Sequence, residues 1–167
     1  KQKILITGGQ GYLGGRIADY LNNTEYDVTL ASRNPCEFYS KRFNCLQINW
    51  HCDVSLRIVC NGYDTIIHCA GMNMSDSENN PLDAKRINGL SSKRLIEAAN
   101  AVGVERFIYL STVHVYKSPL VGFFSEGDTE KNTHPYAVSK LLGENSVREV
   151  MHSGKIKGCV LRLSNVI

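Results

Sequence analysis

The chain has 167 residues, of which 43% are hydrophobic, 21% charged and 8% aromatic, with a net charge of +3. That length makes one domain able to bury a substantial core, and the apolar share excludes a disordered chain. No apolar run reaches the roughly 18 residues of a membrane helix, and the mild charge, without a clustered basic stripe, argues against a nucleic-acid partner.

The first residues, Lys1-Gln2-Lys3-Ile4-Leu5-Ile6-Thr7-Gly8, read as a strand entering a glycine turn rather than a signal peptide. The missing initiator Met gives the expectation of a chain trimmed at its N-terminus. Short, nearly continuous apolar runs at 3–7, 27–32, 44–48, 64–70, 105–111 and 158–163 read as strands covered on both faces. Between them, 12–22, roughly 55–61, 80–102 and 135–152 read as helices. In the third, Leu95, Ala98, Ala99 and Val102 recur at the spacing of one apolar stripe. Strands alternating with helix-length connections predict an α/β fold, a doubly wound parallel sheet in one domain over 1–167. The irregular segment 117–134 is long enough to imply a functional role.

The six cysteines (Cys36, Cys45, Cys52, Cys60, Cys69 and Cys159) show neither a C-x-x-C pair nor zinc-type spacing. Cys69 and Cys159 lie in apolar runs, which suits small buried thiols. The set favours thiols without a disulfide or metal framework, and a reducing cytoplasm.

Thr7-Gly8-Gly9-Gln10-Gly11-Tyr12-Leu13-Gly14 follows a strand and opens a helix. Gly9-x-Gly11-x-x-Gly14 fits a dinucleotide fingerprint and Gly8-x-x-Gly11-x-x-Gly14 its shifted variant. Glycine is needed because a side chain would hold the backbone off a diphosphate, or hold helix from strand. Free N–H groups at the positive end of the helix then attract phosphate. The end of the second strand should lie near the adenosine ribose, where an acid selects NAD and an arginine can meet the 2′-phosphate of NADP. Ala31-Ser32-Arg33, with no acid before Glu37, leans towards NADP over NAD, although Arg33 also suits a solvated loop. Asp53-Val54 is placed to hold the adenine edge; Asp53 equally suits a helix N-cap.

Tyr136-Ala137-Val138-Ser139-Lys140 puts tyrosine and lysine at i and i+4, on one helix face. A phenol is a poor base at neutral pH. A neighbouring ammonium and an oxidised nicotinamide would lower its pKa, so that it could exchange a proton with a substrate hydroxyl or carbonyl. Ser111-Thr112 ends the fifth strand towards the same crevice.

Together these residues resemble an extended short-chain dehydrogenase/reductase of the NAD(P)-dependent nucleotide-sugar epimerase/dehydratase type, in its N-terminal Rossmann domain. The matching pieces are residues 7–14, Asp53-Val54, His68-Cys69-Ala70-Gly71, Asn88, Ser111-Thr112-x-x-Val115-Tyr116, Tyr136-x-x-x-Lys140 with Glu144, and 161–167. The resemblance implies Tyr136 as acid/base, Lys140 as partner to that tyrosine and to the nicotinamide ribose, and Thr112 as the hydroxyl bonding the reacting oxygen, with Ser111 beside it. It implies that Gly8, Gly11, Tyr12, Leu13, Gly14, Ala70 and Gly71 line the cofactor cleft and that Asn88 supports the central helix. It also implies a nucleotide-sugar substrate, a homodimer built on helices 80–102 and 135–152, and, by family habit, a bacterial surface-polysaccharide route.

The chain departs from the family pattern in two respects. Dehydratases of this type carry an Asp-Glu pair after the threonine, where this sequence has Val113-His114, so epimerisation or reduction fits better than loss of water. His114 reads as a packed or loop residue, and His68 as a cofactor-lining or core residue rather than a catalytic one. Trp50 and Phe123-Phe124 suit either a cover over the cleft or ordinary packing. The chain also stops at Ile167, where a substrate-binding portion begins in the family, so a fragment is expected. The readings open at this point are an epimerase, an NADPH-dependent keto-sugar or carbonyl reductase, and a dinucleotide-binding module without turnover.

Overall fold

A computed structural model describes residues 1–35 and 41–164; Cys36, Glu37 and the last three residues of the motif at 161–167 lie outside them. The strands are β1 (Lys3–Thr7), β2 (Asp27–Ser32), β3 (Asn44–Gln47), β4 (Thr65–His68), β5 (Arg106–Thr112) and β6 (Lys157–Leu163). They form one sheet in the order β3-β2-β1-β4-β5-β6, with every neighbouring pair parallel. The fold is therefore the doubly wound, Rossmann-type sheet expected. Its order reverses between β1 and β4, and in such sheets ligands bind outside the carboxyl ends of the strands at that point.

Alternate residues of each strand serve opposite faces. Leu5, Ile66, Phe107 and Tyr109 enter a core with α2 (Asp53–Cys60) and α5 (Ser92–Ala101), joined by Val147 and Val150 of α6 (Pro135–Ser153). Ile4, Ile6, Leu30 and Ile67 enter a second core with Ala18 of α1 (Tyr12–Asn22). Cys159 is exposed, not buried as expected. It lies opposite Ile108 on the edge strand β6, on the face α6 does not cover. Cys52, Cys60 and Cys69 are free thiols.

The long helix expected over 80–102 is three pieces without a break: α4 (Pro81–Ala84), a π-helical turn (Lys85–Ser91) and α5. Ahead of it comes a short helix that the sequence did not suggest, α3 (Met74–Asn79), capped where Asn73 Oδ1 accepts from the Asp76 amide at 2.8 Å. The second helix begins at Asp53 rather than 55, and Cys52, not Asp53, is its N-cap. Residues 117–134 hold no helix or strand. No helix among the described residues is long and apolar enough to cross a membrane.

Candidate active site

The glycine turn is tight because of two close approaches. Gly8 has φ +70°, and a Cβ there would stand 2.7 Å from the Ala70 amide nitrogen. A Cβ on Gly14 would stand 2.4 Å from the Gly8 carbonyl oxygen, so only glycine lets α1 start against the turn. The Gly11 amide donates to the Gly8 carbonyl at 2.9 Å. Of the two spacings open in the sequence, Gly8, Gly11 and Gly14 thus form the close-packed set. At Gly9 a Cβ would meet the Leu30 side chain. The main chain of this turn is bare enough to admit a diphosphate at the N-terminus of α1.

A cleft of about 980 Å³ opens from this turn over the switch point. Gly8, Gly11, Arg33, Ala70 and Gly71 line it, with Trp50 and His68. Tyr12 and Leu13 are the first residues of α1, and Arg33 is exposed just beyond β2. Asp53 and Val54 are in the first turn of α2, next to the lining residue Ser55. The Asp53 carboxylate takes two bonds from the Arg94 guanidinium, at 2.7 and 2.9 Å, and the same guanidinium reaches the Trp50 carbonyl.

The strand–loop junction after β4 is held by Asn88, on the π-helical turn and fully buried. Its Oδ1 accepts from the Met72 amide at 2.7 Å, and its Nδ2 donates to the Met72 carbonyl and to Ser139 Oγ at 2.9 Å. A Cβ on Gly71 would lie 2.7 Å from Asn88 Oδ1 and 4.0 Å from Lys140 Nζ. The cleft and the tyrosine helix therefore meet at Gly71. Turns of the π type recur at functional sites because they shift the helix register.

α6 starts at Pro135, a residue pre-set for the first helical position, while His134 Nδ1 accepts from the Tyr136 amide at 3.2 Å. Thr112 ends β5, its hydroxyl accepting from the His114 amide in the 3₁₀ turn Val113–Val115, which places His114 in a loop turn as expected. Tyr136, Thr112 and Lys140 come together at the carboxyl end of β5. The Tyr136 phenol is pushed up by burial, opposed by its hydrogen bond with Thr112. Lowering by the ammonium, expected from the i,i+4 spacing, is not what governs this phenol. Lys140 Nζ donates to the Leu110 carbonyl at 2.6 Å and stands 4.2 Å over the Tyr109 ring. Burial brings Lys140 itself down to about 8, with Glu144 and Cys69 pulling the other way.

One turn beyond Lys140, Glu144 is fully buried and accepts from Ser111 Oγ at 2.5 Å. Arg162 of β6 meets it at 2.8 Å, pairs also with Glu130, and lies over the Tyr116 ring. Tyr116 stacks in turn on Phe124, whereas Phe123 is fully exposed. Arg162 and Ser139 escaped the sequence reading. The β5–β6 register that puts Arg162 opposite Ser111 has no signature within either strand. His68 lies within the core, Nδ1 2.6 Å from Thr7 Oγ1 and Nε2 2.9 Å from Ser92 Oγ, as a core residue facing the cleft. Among the described residues no group of three or more His, Cys, Asp or Glu could hold a metal ion.

The sequence model of the NAD dependent epimerase/dehydratase family matches residues 4–167. The chain is 30% identical to the human dTDP-D-glucose 4,6-dehydratase over 179 residues, which is 99% of this chain and 51% of that protein. Its fold is similar to that of the UDP-Glc/GlcNAc 4-epimerase from Campylobacter jejuni, with a TM-score of 0.87 and 26% identity over 97% of this chain and 53% of the other. It is likewise similar to MoeE5 in complex with UDP-glucuronic acid and NAD, with a TM-score of 0.86 and 25% identity over 96% of this chain and 54% of the other. The chain spans about half the length of the relatives it matches.

Proposed function

The chain belongs to the NAD dependent epimerase/dehydratase family, and on that premise we propose that it holds a nicotinamide dinucleotide and serves the epimerisation of a nucleotide sugar. The observation that carries this reading is the meeting of Thr112, at the carboxyl end of β5, with the Tyr136 phenol on α6, one helical turn from Lys140, whose Nζ donates to the Leu110 carbonyl of the same strand.

The residues present fit the dinucleotide, since Gly8 and Gly14 let the turn, the strand end at Ala70 and the start of α1 close up with no side chain between them. Gly8, Gly11, Tyr12, Leu13 and Gly14 would hold the diphosphate through backbone N–H groups and the helix terminus. Ala70 and Gly71 would line the nicotinamide side. Asp53 and Val54 would meet the adenine, and Arg33 the adenosine ribose. When bound, the dinucleotide supplies the hydride acceptor and, for the return step, the hydride donor. Tyr136 takes the proton from the sugar hydroxyl as it becomes a carbonyl and gives it back afterwards. Thr112 bonds the reacting oxygen, with Ser111 fixed behind it by Glu144. Lys140, anchored on the Leu110 carbonyl, sets a positive charge near the phenol and the ribose. Asn88 keeps the two halves of the site in register.

Val113 and His114 follow Thr112, and neither is a carboxylic acid. That supports epimerisation over elimination of water. A second reading, net reduction of a keto sugar with NADPH, is supported by Arg33 beyond β2. Leu82, Leu90 and Leu142 are exposed on the helices that would pair in a homodimer.

The test is turnover of UDP-glucose in the protein expressed from its complete gene. Epimer formation with no net change in reduced-nicotinamide absorbance supports the proposal. Stoichiometric loss of that absorbance with a keto sugar points to the reductase. Equal rates for the parent protein and Tyr136→Phe would discard the tyrosine mechanism.

A further inference from the structure

Thr112 and Tyr136 meet although residues 117–134, which make up most of the chain between them, hold no helix or strand. A run of hydrogen bonds through even-numbered residues spans the gap. The His114 amide donates to Thr112 Oγ1 at 3.2 Å, and the His114 carbonyl accepts from Asn132 Nδ2 at 2.6 Å. Asn132 Oδ1 accepts from the His134 amide at 2.9 Å, and His134 Nδ1 accepts from the Tyr136 amide at 3.2 Å. Asn132, half-buried, stands in the middle and joins the two sides.

The partners of Asn132 fix which way its amide faces. A backbone carbonyl needs a donor and a backbone amide an acceptor, and a carboxamide supplies both from one short side chain. The main chain runs alongside: the Asn132 amide donates to the Val115 carbonyl at 3.3 Å and the Lys131 amide to the Tyr116 carbonyl at 2.8 Å. Glu130 pairs with Arg162, which also holds Glu144 behind Ser111. The end of the long segment is thereby stitched to the turn that follows Thr112. At the Thr112 end, accepting from the His114 amide leaves the hydroxyl proton free for an oxygen in front of it. At the other end, the bond falls on the amide of the residue that carries the phenol.

We propose that Asn132 is a positioning residue for the proton exchange, setting the distance between the Thr112 hydroxyl and the Tyr136 phenol through His114 and His134. This rests on the reading of those two hydroxyls as the reacting pair. The segment 117–134 serves the site through its last residues, as the brace between the strand that carries one hydroxyl and the helix that carries the other. A displacement of about 1 Å at a reacting centre costs about 10²-fold in rate, so such a brace acts on turnover and not on affinity.

The experiment uses the protein expressed from its complete gene, with Asn132→Ala and Asn132→Asp beside the parent and thermal melting to verify that both variants fold. Backbone amide exchange is read at residue resolution. Asn132→Ala should speed exchange about fivefold or more at His114, His134 and Tyr136 together. The Met72 amide, held by Asn88, should stay as in the parent. Asn132→Asp keeps the acceptor and lacks the donor, so His134 and Tyr136 should regain protection and His114 should not. With UDP-glucose, Asn132→Ala should lower kcat about 10- to 100-fold and leave KM within about twofold. Faster exchange at His134 alone, an unchanged kcat, or equal changes in kcat and KM would overturn the assignment of Asn132 and leave the epimerase reading standing. A parent that does not epimerise would overturn that reading instead, and the exchange pattern would still decide whether Asn132 joins the two hydroxyls.

Discussion

Asn88 Nδ2 donates to Ser139 Oγ at 2.9 Å, and Ser139 Oγ donates onward to the Tyr136 carbonyl at 2.8 Å, so one buried amide joins the π-helical turn to the start of α6. The same amide grips both polar groups of Met72. Asn88→Ala strands these partners in a buried setting. The expected cost is about 1–3 kcal/mol in urea denaturation, with weaker dinucleotide binding because the loop after β4 loses its anchor.

On the proposed function, Tyr136→Phe removes the proton carrier and keeps the ring. Turnover should fall about 10²–10⁴-fold, while dinucleotide affinity, measured by fluorescence titration, stays within about twofold. Comparable losses in both would mean that the hydroxyl acts in binding rather than in proton exchange.

Lys140 gives a pH signature with a definite sign. Its folded-state pKa of about 8 lies below the ordinary 10.5 because burial disfavours the ammonium. Between these values the unfolded chain binds more protons than the folded one, so this group's contribution makes stability rise as pH increases from about 8 to 10.5. The buried thiols Cys60 and Cys69, each raised to about 12, work the opposite way above their ordinary value of 9. Denaturation of the parent and of Lys140→Met across this range isolates the lysine: the rising component should vanish in the variant. Any activity that needs the ammonium should fall as pH passes about 8.

Glu144 and Arg162 form a pair removed from water, with side chains 0% and 9% exposed. Hydrogen bonding to Glu144 holds the guanidinium above its usual pKa despite its burial. Removing one partner of an isolated pair of this kind costs about 3–5 kcal/mol; here that is the upper bound, because Arg162 keeps Glu130 and Glu144 keeps Arg148 when the other is lost. Glu144→Gln should show that loss in urea denaturation, and Glu144→Leu combined with Arg162→Met should lose clearly less than the sum of the single changes.

Arg33→Ala should weaken NADPH about 10- to 100-fold and NADH little, as the loss of a charge-assisted bond implies. Equal weakening of both cofactors in a direct titration would remove Arg33 as a phosphate partner.

The elements legible in the sequence were those with strong local signals. The bounds of β1, β2 and α1 agree with the apolar runs and the glycine turn between them. Tyr136 and Lys140 were legible because i,i+4 spacing fixes a shared face. α3 was not, since Met74–Asn79 is largely polar and is marked chiefly by its Asn73 cap. The π-helical turn has tertiary partners: the Asn88 carbonyl accepts from the Tyr109 hydroxyl on β5, and its side chain donates to Ser139 Oγ on α6. The bond from Gln10 to Ser32 and that from Arg162 to Glu144 arise from strand order and register, which composition and periodicity do not encode. The upward push of burial on the Tyr136 phenol was not legible either, because burial is a property of the folded surroundings and not of spacing.

Thr7 and Ser92 engage both ring nitrogens of His68, and deep burial with Lys140 nearby takes this imidazole down to about 3. The floor of the crevice therefore stays electrically silent through ordinary acidification. That silence has a thermodynamic counterpart: from about pH 6.5 down to 3 a denatured chain captures a proton here that the native one refuses, so souring the medium loosens the fold before it changes the charge beneath the cleft.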